Sequence, residues 1–593
     1  MKGTLIRVLA TVLITGWVVG CGSDLSGSTS SPSPAAAPAV APTAANPADS
    51  AATADLGPPS DRPATKAAAA RFLSQSSFGP SASEIDGLMN IGYSRWVDQQ
   101  LAKPAGTPHL DYFAARTAEL DYREWPSTDW VYGSFWRTAV TADDQLRHRV
   151  AFALSQIFVV SVGDDALDDY PRGVAGFLDM LGRNAFGNFR TLLEDVSLHP
   201  MMGLYLTHLG NQKADLAAGR APDENYAREV MQLFTIGLYE LNLDGTVKLD
   251  TRNEPIDTYK IEDVVGLARV FTGFSWAGPD SSNSRFFGNV SISDRDILPM
   301  RSYPSFHETG TKTFLGTTIT TSTPEASLKS ALDRLFMHPN VGPFIGRQLI
   351  QKLITSNPSP AYVARVATAF NDNGQGVRGD MKAVVRAIML DVEARNDAAA
   401  GTTTAGKVRE PVLRLAAWMR AFDTKSTTGH FLIGVTDDPD YSIGQTPMRS
   451  PSVFNFFRPG YVPPDAAIAQ AKLVSPEMQN THESSVAGWL NTMRWAVPDG
   501  FGNNPPNGPR RDVQPDYTNE LALADNATAL VDRVALLLTA DRMPASVRQQ
   551  ITAAVASVNV ALSNPANREA ARRNRVHLAV FLTVASPDFI VQK

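Results

Sequence analysis

From residue 65 onward apolar residues recur at helical spacing, and that periodicity limits the chain to a mainly α fold. Between 143 and 160, Leu146, Val150, Ala153, Leu154, Ile157 and Phe158 follow one helix face. Segments 177–181, 189–196, 328–336, 341–353, 362–370 and 381–389 repeat the pattern, and 67–73 and 82–89 open two further helices. Strand-like pieces are few: 246–249, 289–292 and the Thr-rich 313–321, which reads as a hairpin turning near Gly316. The expectation is a multi-helical globular domain with a few short strands or hairpins.

The first 64 residues follow other rules. Lys2 and Arg7 give a short positive region, 8–19 is apolar apart from Thr and Gly, and Val18-Val19-Gly20-Cys21 follows. This describes a signal peptide over 1–20, too short for an ordinary membrane span. Its end resembles the lipobox of bacterial lipoproteins, whose cysteine is acylated and becomes the mature N-terminus. Cys21 is therefore the expected lipidation site and membrane anchor. Gly22-Ser23, with no Asp directly after the cysteine, favours the outer membrane of a diderm envelope. From 21 to 64 the chain is mostly Ala, Pro and Ser, a composition that cannot bury enough surface to offset chain entropy. A disordered tether is expected there.

Cys21 is the only cysteine, so the mature protein has no internal disulfide, thiolate metal site or thiol nucleophile. The formal net charge of −6 gives no basic excess, which argues against a nucleic-acid partner. Residues 65–593 read as the folded part, with internal breaks near 396–407 and 497–526, where loop residues dominate.

The densest polar motif is Asp223-Glu224-Asn225-Tyr226-Ala227-Arg228-Glu229, continuing through Gln232 to Gly237. It reads as one amphipathic helix over 223–237, with Asp223 at its N-cap and Gly237 ending it in the left-handed conformation. Glu224, Asn225, Arg228, Glu229 and Gln232 fall within an arc of roughly 140°. A second amphipathic helix is expected over 259–271. Ile261, Val264, Val265, Ala268 and Phe271 form its core face, while Glu262 and Arg269 lie together on another. His307 and Lys312 follow in a turn-rich loop.

Three further clusters have plain structural explanations. Gln145-Leu146-Arg147-His148-Arg149 is expected to pair with Asp143 and Asp144, and His199 to be a hydrogen-bonded structural group. The aromatic, Pro-bounded loop 451–464 could stack on a ligand or plug a core.

Taken together these segments resemble the bacterial domain-of-unknown-function 1800 family. The resemblance starts at Arg71-Phe72-Leu73 and Phe78-Gly79-Pro80 and runs through 145–156, the 224–229 motif, Glu262-Asp263-Val264, Ala268-Arg269 and Thr272-Gly273. It continues through His307, Lys312, Leu315-Gly316 and 454–461 to the tail Ala585-Ser586-Pro587-Asp588-Phe589-Ile590-Val591. It implies an exported, often envelope-associated bacterial protein and no stated activity. The family pattern has a glutamate where this chain has Gln232, which removes one candidate carboxylate.

Acid–base chemistry needs two titratable groups whose environments push their pKa values apart. Arg228 stands one turn from Glu224 and would neutralise and orient it, leaving Glu229, beside Asn225, as the freer carboxylate. Glu229 is the first choice for a general base, with Asp263, Glu262 or His307 as its partner. Glu224, Asn225, Arg228, Glu262, Arg269 and Lys312 would bind or orient. Two carboxylates across a cleft would suit glycoside hydrolysis, and a histidine with carboxylates could hold a hard or borderline metal. No metal or cofactor motif is present to name either.

Three function classes stay open. The first is an envelope or extracellular enzyme acting on a glycan or similar polymer, with Glu229, Asp263 and His307 in one pocket. The second is a non-catalytic lipoprotein binding an exported protein or surface polysaccharide, using exposed aromatics such as Trp276, Tyr461 or Phe457. The third is a structural envelope component whose polar motifs only join helices.

Overall fold

A computed structural model describes residues 60–121, 125–320, 322–402, 404–505 and 511–593. The signal peptide, Cys21 and nearly all of the tether lie outside the described residues. The rest is mainly α, as its periodicity implies.

Capping fixes many helix starts. The Thr65 hydroxyl accepts from the Ala68 amide before Lys66–Ser76. Ser81 and Glu84 form a reciprocal capping box at the head of Ala82–Ile91. Gln145–Ser155, buried at every position, packs against Pro171–Asn184 and Val341–Leu353. A C-terminal group, Ala527–Thr539, Ala545–Ala556 and Pro565–Val584, packs on itself.

The described strands form four two-stranded antiparallel pairs. The expected hairpin pairs Lys312–Phe314 with Thr317–Ile319. Its turn residues Leu315 and Gly316 have φ of 47° and 72°, the left-handed pair that a tight two-residue hairpin needs. Segment 246–249 lies in an arm held by the isolated bridges Leu241↔Val247 and Leu249↔Pro255. Segment 289–292 is not a strand: the Gly288 amide bonds back to the Arg285 carbonyl and the Asn289 amide to Ser284, turning the chain away from any ladder. Within 396–407, Lys407 opens the strand Lys407–Val408, which pairs with Val591–Gln592 near the C-terminus. Within 497–526, Val513–Gln514 pairs with Lys425–Ser426.

Both motif helices are shorter than their periodicity suggests. The first is Asn225–Gln232. After it the Phe234 amide reaches back to the Glu229 carbonyl and the Thr235 hydroxyl to the Val230 carbonyl, so 233–237 winds as a turn. Gly237 closes it at φ 71°, its amide on the Met231 carbonyl. The second is Ile261–Ala268. Its apolar sequence face and its buried face differ: Val264, Leu267 and Ala268 are buried, whereas Ile261 is 54% and Val265 39% exposed. Gly266 sets that rotation, because a Cβ there would lie 1.7 Å from the Thr313 carbonyl oxygen of the hairpin. Contact that close turns the helix so that its glycine, not Val265, meets the strand.

Candidate functional site

The motif helix is fixed from its buried side. Tyr226 stacks on His208 with ring centroids 3.9 Å apart, and its hydroxyl lies 2.6 Å from that of Ser197. At the head of the helix the Asp223 carboxylate accepts from the Asn225 amide at 2.8 Å and from the Thr207 hydroxyl at 3.0 Å. Glu224 and Arg228 pair at 3.3 Å, both about two-fifths exposed, so the contact orients more than it stabilises. The Gln232 side-chain Oε1 accepts from the Tyr259 hydroxyl at 3.0 Å.

Glu229 differs from its neighbours. Its side chain is buried, and Oε2 has no hydrogen-bond partner in the protein. Burial raises its pKa to about 7, against a smaller pull downward from Arg228. A carboxyl group so placed exchanges a proton near neutrality, as an acid/base group must.

Asp263 and His307 sit in a different set of bonds. Asp263 Oδ2 accepts from the Lys260 amide at 2.8 Å, capping its own helix, and Oδ1 accepts from the Leu315 amide at 2.6 Å in the hairpin turn. The carboxylate thus ties helix to hairpin. Asp263→Ala is expected to cost about 1–2 kcal/mol, the loss of a cap and a partly buried hydrogen bond, measured by urea unfolding. His307 is buried, with Nδ1 2.7 Å from the Thr272 carbonyl and Nε2 3.1 Å from the Ser327 hydroxyl. A carbonyl only accepts, so Nδ1 carries the proton, and burial lowers the imidazole pKa and keeps the ring neutral.

The remaining nominated residues surround that hairpin. Arg269 donates to the Thr311 carbonyl at 2.9 Å, and Glu262 is exposed. Lys312 is fully buried and its Nζ has no hydrogen-bond partner; burial lowers its pKa, while Glu308 raises it. The structure therefore gathers Asp263, Arg269, His307 and Lys312 about one hairpin and places Glu224, Asn225, Arg228 and Glu229 on the helix packed against Ile261–Ala268. The charge that acts on Glu229 is Arg228.

A second concentration of charge arises where the sequence suggested only local pairing. Arg147 and His148 do meet Asp144, at 3.2 and 2.9 Å. Arg149 does not. It is fully buried, donates from Nη2 to the Lys352 carbonyl at 2.6 Å, and leaves Nε and Nη1 unpartnered. Lys352 is buried with its Nζ 4.2 Å from the Phe457 ring centroid, and burial lowers its pKa to about 8. Lys407 Nζ lies 3.0 Å from Glu477 Oε1. Glu410 Oε2 accepts from the Nε2 atoms of Gln156 and Gln445 at 2.5 and 2.7 Å, while its Oε1 has no partner. Gln156 and Gln445 border a hollow of about 10 Å³, the room of a single water, that Asn455 and Phe456 also line.

The sequence does not disclose this cluster because its members come from four separated stretches, at 149, 352, 407–410 and 477. The available signal was Arg149, the charged residue that leads directly into the apolar run 150–154. Trp276 and Phe457, proposed as exposed ligand platforms, are buried; Phe457 packs under Lys352 and Trp276 under Arg295, at 4.5 Å.

Among the described residues no group of three or more His, Cys, Asp or Glu is placed to hold a metal ion. No helix among them is long and apolar enough to cross a membrane. No curated protein and no solved structure matches the chain. Residues 71–591 match the family model described as "Protein of unknown function (DUF1800)". That span holds the motif helix, the hairpin with its histidine loop, and the buried charge cluster, and the chain belongs to the DUF1800 family.

Proposed function

We propose that this protein is an exported bacterial lipoprotein, anchored through Cys21 in the cell envelope at the outer membrane, that acts on a glycan or similar polymer with Glu229 as its acid/base group. The observation that carries the reading is the buried Glu229 carboxyl, whose Oε2 has no hydrogen-bond partner and whose pKa burial raises to about 7. In this reading Asp263 and His307 are positioning residues: Asp263 holds the hairpin turn to Ile261–Ala268, the helix packed on the motif helix, and His307 holds its loop to Thr272 and Ser327. The sequence around Cys21 supports the anchor, and the Ala/Pro/Ser stretch after it supports a spacer from the lipid surface.

The test follows melting of the full chain in detergent against a panel of soluble glycans, with Glu229→Gln alongside. A glycan that stabilises the wild type and is turned over, but is not turned over by Glu229→Gln, supports the assignment. Turnover unchanged in that variant removes it. Labelling with radioactive palmitate, lost in Cys21→Ser, tests the anchor.

One observation favours a second reading, docking of an exported protein. Leu243, Leu249 and Ile256 on the 238–258 arm are exposed, as are Ile261 and Val265 on the helix that follows it. Exposed apolar side chains concentrated in one short segment of chain suit a protein contact. Replacing Ile261 and Val265 by serine should release such a partner while leaving the melting temperature within about 1 °C, as substitutions of exposed residues do. Retention of the partner would count against this surface.

A further inference from the structure

We infer that Tyr259 is the positioning residue of Glu229: its ring, carried back by the 238–258 arm, closes the site beside the buried carboxyl, and its hydroxyl is pinned on Gln232. Tyr259 thereby serves the acid/base role proposed for Glu229, on which this assignment rests, by keeping that carboxyl out of water.

The course of the backbone puts Tyr259 there. The arm leaves the motif helix at Gly237 and comes back to the same point. The Thr258 amide donates to the Leu238 carbonyl at 3.0 Å, and the Thr258 hydroxyl donates to the Gly237 carbonyl. The bridge Tyr239↔Asp257 joins the two sides of the arm at its base. Tyr259 is the next residue after this closure, so it is delivered to the C-terminal end of Asn225–Gln232. Two residues later begins Ile261–Ala268, which packs on the motif helix.

The side chain is then fixed at its tip, where the Tyr259 hydroxyl donates to Gln232 Oε1 at 3.0 Å. Gln232 stands three positions after Glu229 on the same helix. Residues so spaced are neighbours on one face, with Cβ atoms about 5–6 Å apart. A phenol reaching Gln232 therefore passes beside Glu229. The ring is partly buried and packs on the core. Burial pushes the phenol pKa up to about 12, and the charges of Arg228, Glu229 and Asp257 all act on it. The hydroxyl thus stays protonated through the range in which Glu229 titrates.

The other groups near Glu229 do not keep its proton on. Arg228, on the same helix, favours the ionised carboxyl. On the packed helix, Asp263 is committed to the Lys260 and Leu315 amides, and Glu262 is exposed. Asp257, at the base of the arm, acts on Tyr259. Burial outweighs Arg228, and the Tyr259 ring is a large apolar group that the arm brings to that side of the helix. A carboxyl beside an aromatic wall holds its proton to higher pH, because its ionised form loses hydration that the ring cannot replace.

Carboxyl infrared spectra of the full chain in detergent test the assignment, each protein being compared with the same protein carrying Glu229→Gln. In the wild type the Glu229 midpoint is expected near 7. Tyr259→Ala should lower it by about one pH unit or more, because water enters where the ring stood. Tyr259→Phe restores the ring without the hydroxyl and should return the midpoint to within about half a unit of the wild type. A purely structural role would lower the melting temperature and leave the midpoint in place. If Tyr259→Ala does not fold, Tyr259→Leu decides: leucine is too short to reach Gln232 and should lower the midpoint by about half a unit or more.

An unchanged midpoint in the folded variant that lacks the ring overturns the role of Tyr259 and leaves the acid/base reading of Glu229 standing. So does a midpoint in Tyr259→Phe as low as in Tyr259→Ala, which would assign the effect to the hydroxyl. A wild-type midpoint near 4.5 overturns the acid/base reading itself, and the role of Tyr259 falls with it.

Discussion

Glu229→Gln is expected to make the protein more stable above neutral pH and, under the proposed function, to abolish turnover. Glu229 titrates near pH 7 in the folded protein, raised from 4.5 by burial. Between those two values the unfolded chain has released this proton and the folded chain has kept it, so the group lowers stability as pH rises through that window. Above about pH 7 both states are ionised and the full penalty applies, on the order of 3 kcal/mol. Glutamine has the same shape and no charge to desolvate. Its melting curve should therefore match the wild type near pH 4 and exceed it by about 3 °C at pH 8, given the unfolding entropy of a chain this long. Loss of stability at every pH would instead make Glu229 a structural group.

Glu410→Ala is expected to have the opposite sign and comparable or larger size. Glu410 is fully buried, holds the Nε2 atoms of Gln156 and Gln445, and is the acid that most offsets the burial of Arg149 and Lys352. Removing it strands two amide donors and leaves buried cations without their counter-charge. Leaving buried charge and two buried amide donors uncompensated costs up to roughly 3–5 kcal/mol, which should appear as a drop of similar size in urea unfolding free energy. Glu410→Gln, which keeps a side chain of the same length, should lose less. A neutral effect of Glu410→Ala would mean that solvent or a bound anion already screens the cluster.

These two expectations come from parts of the chain that differ in how readily the sequence discloses them. Periodicity places Val341–Leu353 and Met381–Leu390 closely, because a helix face is a local property. Gly237 and the hairpin at Gly316 are also readable, since only a few residues accept a positive φ cheaply. Glu229 stands out within its motif for the same local reason: Arg228 is placed to occupy Glu224 and not Glu229. The end of the motif helix at Gln232, and the exposure of Ile261 and Val265, are not local. They depend on the Thr235 hydroxyl finding the Val230 carbonyl and on the hairpin strand approaching Gly266. The Arg149–Lys352–Glu410–Glu477 cluster lies further still from what one segment can show. Its residues are distant in sequence, each looks ordinary beside its neighbours, and only packing makes them a group.

Folding also divides the nominated catalytic residues by use. Asp263 bonds two backbone amides and His307 has partners at both ring nitrogens, so each is held in one orientation. Glu229 keeps an oxygen without a partner. Groups fixed by several hydrogen bonds position a site well, whereas a group that exchanges protons needs one atom left open.

Carboxyl infrared spectroscopy tests the protonation of Glu229 near neutrality directly. The difference between wild-type and Glu229→Gln spectra across pH 4 to 9 isolates this one carboxyl group. Its protonated C=O stretch is expected to persist above pH 6 and to disappear with a midpoint near the raised value of about 7. A midpoint near 4.5, the ordinary value for glutamate, would contradict it.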